Sequence, residues 1–136
     1  MKLGFIALGC LLIAAPAAAQ EKQDGKAVQV ELIKFKAGTI DRVDEIESKY
    51  FDPAARKIGF SPVVIRFQTG PWDREYIFPM TGGMADLDYK ATKDQIAWLA
   101  EVDRLAGGPG SAKKLLAEFD AAIERSTTDV GFSSQR

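Results

Sequence analysis

The chain has 136 residues, with 18 Lys and Arg against 19 Asp and Glu for a net charge of −1, one cysteine and no histidine. Without imidazole it lacks the commonest general base and the commonest metal ligand, which excludes Ser-His-Asp triads, histidine-bound zinc and histidine-bound haem. One thiol excludes an internal disulfide, and charges of both signs are interspersed, with no basic stripe suited to nucleic acid or an anionic membrane.

Residues 1–19 carry the three parts of a secretory signal. Lys2 supplies a positive start, residues 3–15 are apolar, and Pro16 with Ala17-Ala18-Ala19 forms a small-residue cleavage site. The apolar run is shorter than the roughly 20 residues a membrane span needs, and Glu21, Lys22, Asp24 and Lys26 follow at once. A bacterial-type signal peptide cleaved after Ala19 is therefore expected, with the mature protein periplasmic or secreted and no stable membrane anchor. Leu8-Gly9-Cys10 resembles the end of a lipobox. Cys10 sits in the middle of the apolar run rather than at its end, so lipidation is not expected. Cleavage removes Cys10 and Lys2, leaving 17 basic against 19 acidic residues and neither thiol nor imidazole. Chemistry in the mature chain is left to carboxylates, Lys, Arg, Tyr, Ser and Thr.

Residues 20–26 are polar and without periodicity, a flexible leader, and 27–134 form one α+β domain. Residues 27–36 read as a strand, with Val28, Val30 and Leu32 on one side and Ile33 and Phe35 on the other. Thr39 is placed to cap a helix with Asp41 in its first turn. Ile40, Val43, Ile46, Tyr50, Phe51, Ala54 and Ile58 follow at mostly helical spacings. Pro53 predicts a kink or restart, with Asp52 capping a second segment, and Gly59 a stop. Residues 62–69 form the clearest strand, Gly70-Pro71-Trp72-Asp73 a turn, and 74–80 a third strand. Pro79 favours an edge or the strand's end. Residues 84–89 carry no decisive pattern. Thr92-Lys93-Asp94-Gln95 matches a capping box before a helix bearing Ile96, Leu99, Val102 and Leu105. Gly107-Gly108-Pro109-Gly110 breaks that helix. Ser111 is placed to cap another, with Leu115, Leu116, Phe119, Ala122 and Ile123, and 127–132 form a last, weak strand.

The order β-α-β-β-α(α)-β, with the second helix split at residues 107–110, predicts a ferredoxin-like antiparallel sheet with helices on one face. The other face carries apolar residues too and is not expected to stand bare in water. This order, the Gly70-Pro71-Trp72 hairpin and the stretch Trp98…Gly107-Gly108…Leu115-Leu116…Ile123-Glu124-Arg125-Ser126 resemble the dimeric α+β barrel superfamily over residues 27–134, in its NIPSNAP-like and antibiotic-biosynthesis-monooxygenase-like branches. The resemblance implies two sheets paired face to face in a homodimer around a cavity. It transfers no catalytic residue, because the motifs that carry it are structural.

Gln29, Glu31, Arg66, Gln68, Glu75 and Tyr76 are read on the non-helical side of the strands. Glu31, Arg66, Gln68 and Tyr76 are the candidates to line a ligand pocket, as against a wet rim or an interface ion pair. A carboxylate in an apolar cavity has a raised pKa and can act as acid or base. Trp72, Tyr76, Phe78 and Met80 cluster on one hairpin, as core, interface or an aromatic lid. Residues 107–113 lack the preceding strand and the Lys-Ser/Thr pair of a phosphate loop. Met80 and Met84 alone make a poor copper site. No metal or cofactor is expected, and no catalytic residue is assigned. Two functions compete: a ligand-binding or non-catalytic envelope protein, holding a small apolar or aromatic molecule between the two sheets, and a cofactor-independent monooxygenase-like enzyme whose cavity groups orient the substrate.

Overall fold

The structure, a computed structural model, describes residues 25–134; the expected signal peptide and residues 20–24 of the leader lie outside them. β1 (Lys26–Phe35) runs through the interior of the sheet, paired antiparallel with β3 (Arg74–Pro79) on one side and β4 (Ile123–Ser133) on the other. β2 (Val63–Arg66) pairs antiparallel with β3, so the order is β2-β3-β1-β4. With every helix on one face, this is the ferredoxin-like α+β arrangement.

Strand alternation divides the sheet into two faces. Ile33 and Phe35 are buried toward the helices with Tyr76, Val43, Phe119 and Ala122. Residues of the opposite parity turn outward. Val28, Val30 and Leu32 lie across from Pro79, Ile77 and Glu75, and Ile77 lies across from Val63. This outer face is apolar from Val30 and Ile77 at its centre to the edge strand β2, where Val63 is 56% and Ile65 40% exposed.

The first helical rod comprises α1 (Ile40–Ile46), a π-helical turn (Glu47–Phe51) and α2 (Asp52–Ile58). Two expectations fail here. Thr39 donates its hydroxyl backward to the Lys36 carbonyl at 2.8 Å and caps nothing. Asp52 does not restart the helix; it is itself helical, and its N–H donates to the Glu47 carbonyl five residues back. The wide π turn relieves the clash that Pro53 imposes on the preceding carbonyls, so the rod continues where a kink was expected. The rod ends as expected at Gly59, in the left-handed conformation at φ 74°, with the Phe60 N–H on the Ala55 carbonyl at 2.9 Å.

Beyond β3, Gly83–Asp88 is a 3-10 helix. α3 (Lys93–Leu105) begins with the full capping box: Gln95 N–H donates to Thr92 Oγ1 at 3.2 Å, and Thr92 N–H to Gln95 Oε1 at 2.8 Å. α4 (Ser111–Ala122) begins differently from expectation. Gly110, at φ 87°, precedes it, and Ser111 makes no cap bond. Asp103 of α3 supplies the acceptor instead, taking the Ala112 N–H at 2.7 Å. β4 follows α4 without a loop and is longer than the strand expected over 127–132.

A second core lies among the helices, formed by Ile46, Ala54, Val102, Ala112 and Leu115. Phe51 joins the two cores, edge-on to Trp98 at 4.9 Å and tilted against Phe119 at 5.6 Å. Among the described residues no helix is long and apolar enough to cross a membrane.

Candidate functional site

Between the sheet and the helices lies a cavity of about 470 Å³. Gln29 and Glu31 of β1, Val64 of β2 and Tyr76 and Phe78 of β3 form its floor. Phe51, Ala55, Trp98 and Phe119 wall it from the helices, and Leu87, Tyr89 and Lys90 stand at its edge. Phe60, Phe78 and Tyr76 stack in sequence, with centroids 6.4 and 5.9 Å apart and rings within 9° of parallel. Trp98 is fixed through its indole N–H, which donates to the Phe51 carbonyl at 3.1 Å.

The polar centre of this wall is Glu47, the first residue of the π turn, only 3% exposed. The Tyr76 hydroxyl donates to Glu47 Oε1, and Arg66 Nη2 donates to Oε2 at 3.2 Å. Burial pushes the Glu47 carboxyl above its ordinary value of 4.5, and this outweighs the lowering by Tyr76, Arg74 and Arg66. Burial, with the Glu47 carboxylate next in effect, likewise pushes the Tyr76 phenol far above its ordinary range. Tyr76 is therefore a hydrogen-bond donor at any physiological pH. Behind this pair, Arg74 is 4% exposed and donates through Nη2 to Asp44 and through Nη1 to the Asp73 carbonyl at 3.2 Å. Its Nε has no hydrogen-bond partner among the described residues.

The residues singled out in the sequence divide. Glu31 and Tyr76 line the cavity; Arg66 and Gln68 do not. Arg66 is half-exposed at the rim and reaches the site through Glu47. Gln68 lies past the end of β2, exposed. Glu75 faces outward opposite Leu32 and Ile65. The face assigned to the others is corrected: Gln29, Glu31, Arg66 and Tyr76 all point to the helical side. Gln29 and Glu31 share the parity of Ile33 and Phe35. Their polarity suggested water, but a cavity occupies that space. Burial raises the Glu31 carboxyl above 4.5, with Asp120 adding to it. Of the aromatic hairpin cluster, Tyr76, Phe78 and Met80 line the cavity. Trp72 instead stacks under the Arg125 guanidinium, 4.7 Å from its centroid.

Glu47 and Asp120 were not singled out in the sequence. The signal for Glu47 was available: it follows Ile46 and lies four residues after Val43, within the apolar arc of a helix, where a carboxylate is out of place. Among the described residues no three potential ligands from His, Cys, Asp and Glu converge to hold a metal ion.

No family model matches the sequence, and no curated protein matches it. The structure is similar to a NIPSNAP family protein from Agrobacterium tumefaciens, with a TM-score of 0.54 at 14% identity over 85% of this chain and 92% of that one. It is also similar to a NIPSNAP family protein of unknown function from the same organism, with a TM-score of 0.53 at 16% identity over 82% of this chain and 90% of that one. The chain thus has the fold of NIPSNAP family proteins.

Proposed function

We propose that this chain, on the fold it shares with NIPSNAP family proteins, is an exported homodimer that binds a small, largely apolar or aromatic molecule in the cavity between its sheet and its helices. The observation that carries the reading is the aromatic-walled cavity of about 470 Å³ with the Glu47–Tyr76 pair in its wall. Small-molecule sites combine apolar walls with a few placed polar groups, and Glu31 and Gln29 add polar atoms on the floor. The signal-like residues 1–19 support export to the periplasm or beyond. The apolar centre of the outer sheet face supports pairing of two copies, sheet to sheet.

The test is native mass spectrometry of the protein purified from its own envelope. The expected result is a retained mass beyond that of the polypeptide, lost on mild activation. Trp98 in the wall supplies a second readout, since entry of an aromatic probe such as 1-naphthalenemethanol should quench its emission. No retained mass and no response to any apolar probe would overturn the reading.

A second reading rests on the same pair. A buried carboxylate of raised proton affinity, beside a fixed phenol donor, is suited to taking a proton from an electron-rich substrate, the step that begins cofactor-independent oxygenation. Consumption of dioxygen with phenolic substrates, lost in Glu47→Gln, would favour it over simple binding.

A further inference from the structure

The cavity is walled by aromatic side chains and open on one side, yet its charged groups are almost all of one sign. Glu31, Glu47, Asp52, Asp86, Asp94 and Asp120 line it, against a single cation, Lys90. Glu47 is answered by Arg66. None of the other five belongs to an ion pair among the described residues, although elsewhere on this protein Glu45, Glu101 and Glu118 are each paired with Arg or Lys. At the edge, Asp86 accepts the Gly82 N–H at 3.0 Å and Asp94 the Thr81 hydroxyl at 2.6 Å. Among the described residues Glu31 has no such bond. It stands on the floor directly across the strand pair from Tyr76, with Phe78 opposite Gln29 beside it and Asp120 close enough to repel its charge.

We propose that the cavity takes an organic cation, an amine or quaternary ammonium on an apolar or aromatic body, with its charge between Glu31 and Asp120 and its body against Tyr76, Phe78 and Phe119. This rests on the cavity being a ligand site. Two physical terms act together. Opposite charge beside the part-buried Glu31 is attracted more strongly than in water, and aromatic faces attract cations through their quadrupoles. An anionic ligand meets repulsion from both. A bare metal ion does not fit, because the carboxylates are spread around the walls and no three converge among the described residues. A bound cation also lowers the proton affinity of Glu31, so binding releases protons below neutral pH.

The test compares three probes of one shape on the mature protein at neutral pH and low salt: 1-naphthylmethylamine, 1-naphthalenemethanol and 1-naphthoate. Binding is followed by calorimetry and by Trp98 emission. The amine is expected to bind about tenfold or more tighter than the alcohol, with naphthoate weakest. Asp120→Asn, at an exposed position, and Glu31→Gln are each expected to shrink the amine's advantage over the alcohol, both probes being measured on the same variant. Alcohol or naphthoate binding as tightly as the amine overturns the cation inference and leaves the cavity as a ligand site. So does an advantage that survives in both variants. Failure of all three probes to bind overturns both.

Discussion

Glu47 and Tyr76 show how one pair sets the character of a wall. The phenol is a fixed donor, and the carboxylate, 3% exposed, depends on it and on Arg66 for its hydrogen bonds. Tyr76→Phe leaves a buried carboxylate oxygen with one partner fewer and should cost about 1–3 kcal/mol in urea denaturation. The pH dependence has a definite sign. Burial raises the folded-state pKa of Glu47 above 4.5, so the folded chain holds this proton more tightly than the unfolded chain. The contribution is full at and below about pH 4.5 and is lost as pH rises through the folded value. Glu47→Gln does not titrate. Urea midpoints from pH 4.5 to 8 should therefore show the wild type losing ground to the variant as pH rises; parallel curves would contradict the burial argument. Tyr76 was legible in the sequence because an aromatic in strand alternation is rarely idle. Glu47 was less so, because a helical arc shows which way a residue faces and not what it meets across the core.

At the level of elements, regular pattern was read well and caps less well. The alternation of β1 led to the observed strand because the pattern repeats along the whole element, and the capping box at Thr92 led to the observed helix start because both of its hydrogen bonds close within three residues. Ser111 misled because the Ala112 N–H at the start of α4 is answered from another helix, by Asp103. Residue type alone cannot register a long-range acceptor. The difference is measurable. Asp103→Ala should lower stability by about 1 kcal/mol, in the range of a lost N-cap, while Ser111→Ala should be near neutral. Thermal unfolding of the two variants side by side checks this, and a Ser111→Ala loss equal to that of Asp103→Ala would restore the original expectation. Pro53 is a comparable case: the residue was noticed, but its accommodation by a widened turn depends on the whole rod.

For the whole molecule, the element order was enough to reach the ferredoxin-like sheet. Which face holds the cavity was not, since Gln29 and Glu31 look solvent-facing until the helices are placed over them. The outer face carries the prediction of assembly. The mature wild type should scatter as a dimer at micromolar concentration, and Val30→Lys, at the centre of that face, should scatter as a monomer with unchanged circular dichroism; a monomeric wild type would remove the dimer from the proposal. Val30 and its chain neighbour Glu31 point to opposite sides of a single layer, one toward the surface proposed for the partner and the other into the cavity. A slip of one residue in β1 would exchange them, placing a carboxylate in the proposed contact and a valine in the proposed ligand space. Asp73 guards against this. Its carboxylate accepts the Phe35 N–H and the Lys34 ammonium, each at 2.9 Å, and its own N–H meets the Ile33 carbonyl at 2.9 Å, pinning the end of β1. A turn residue thus holds the proposed contact face and the proposed ligand space in alignment, and an error there would forfeit the two together.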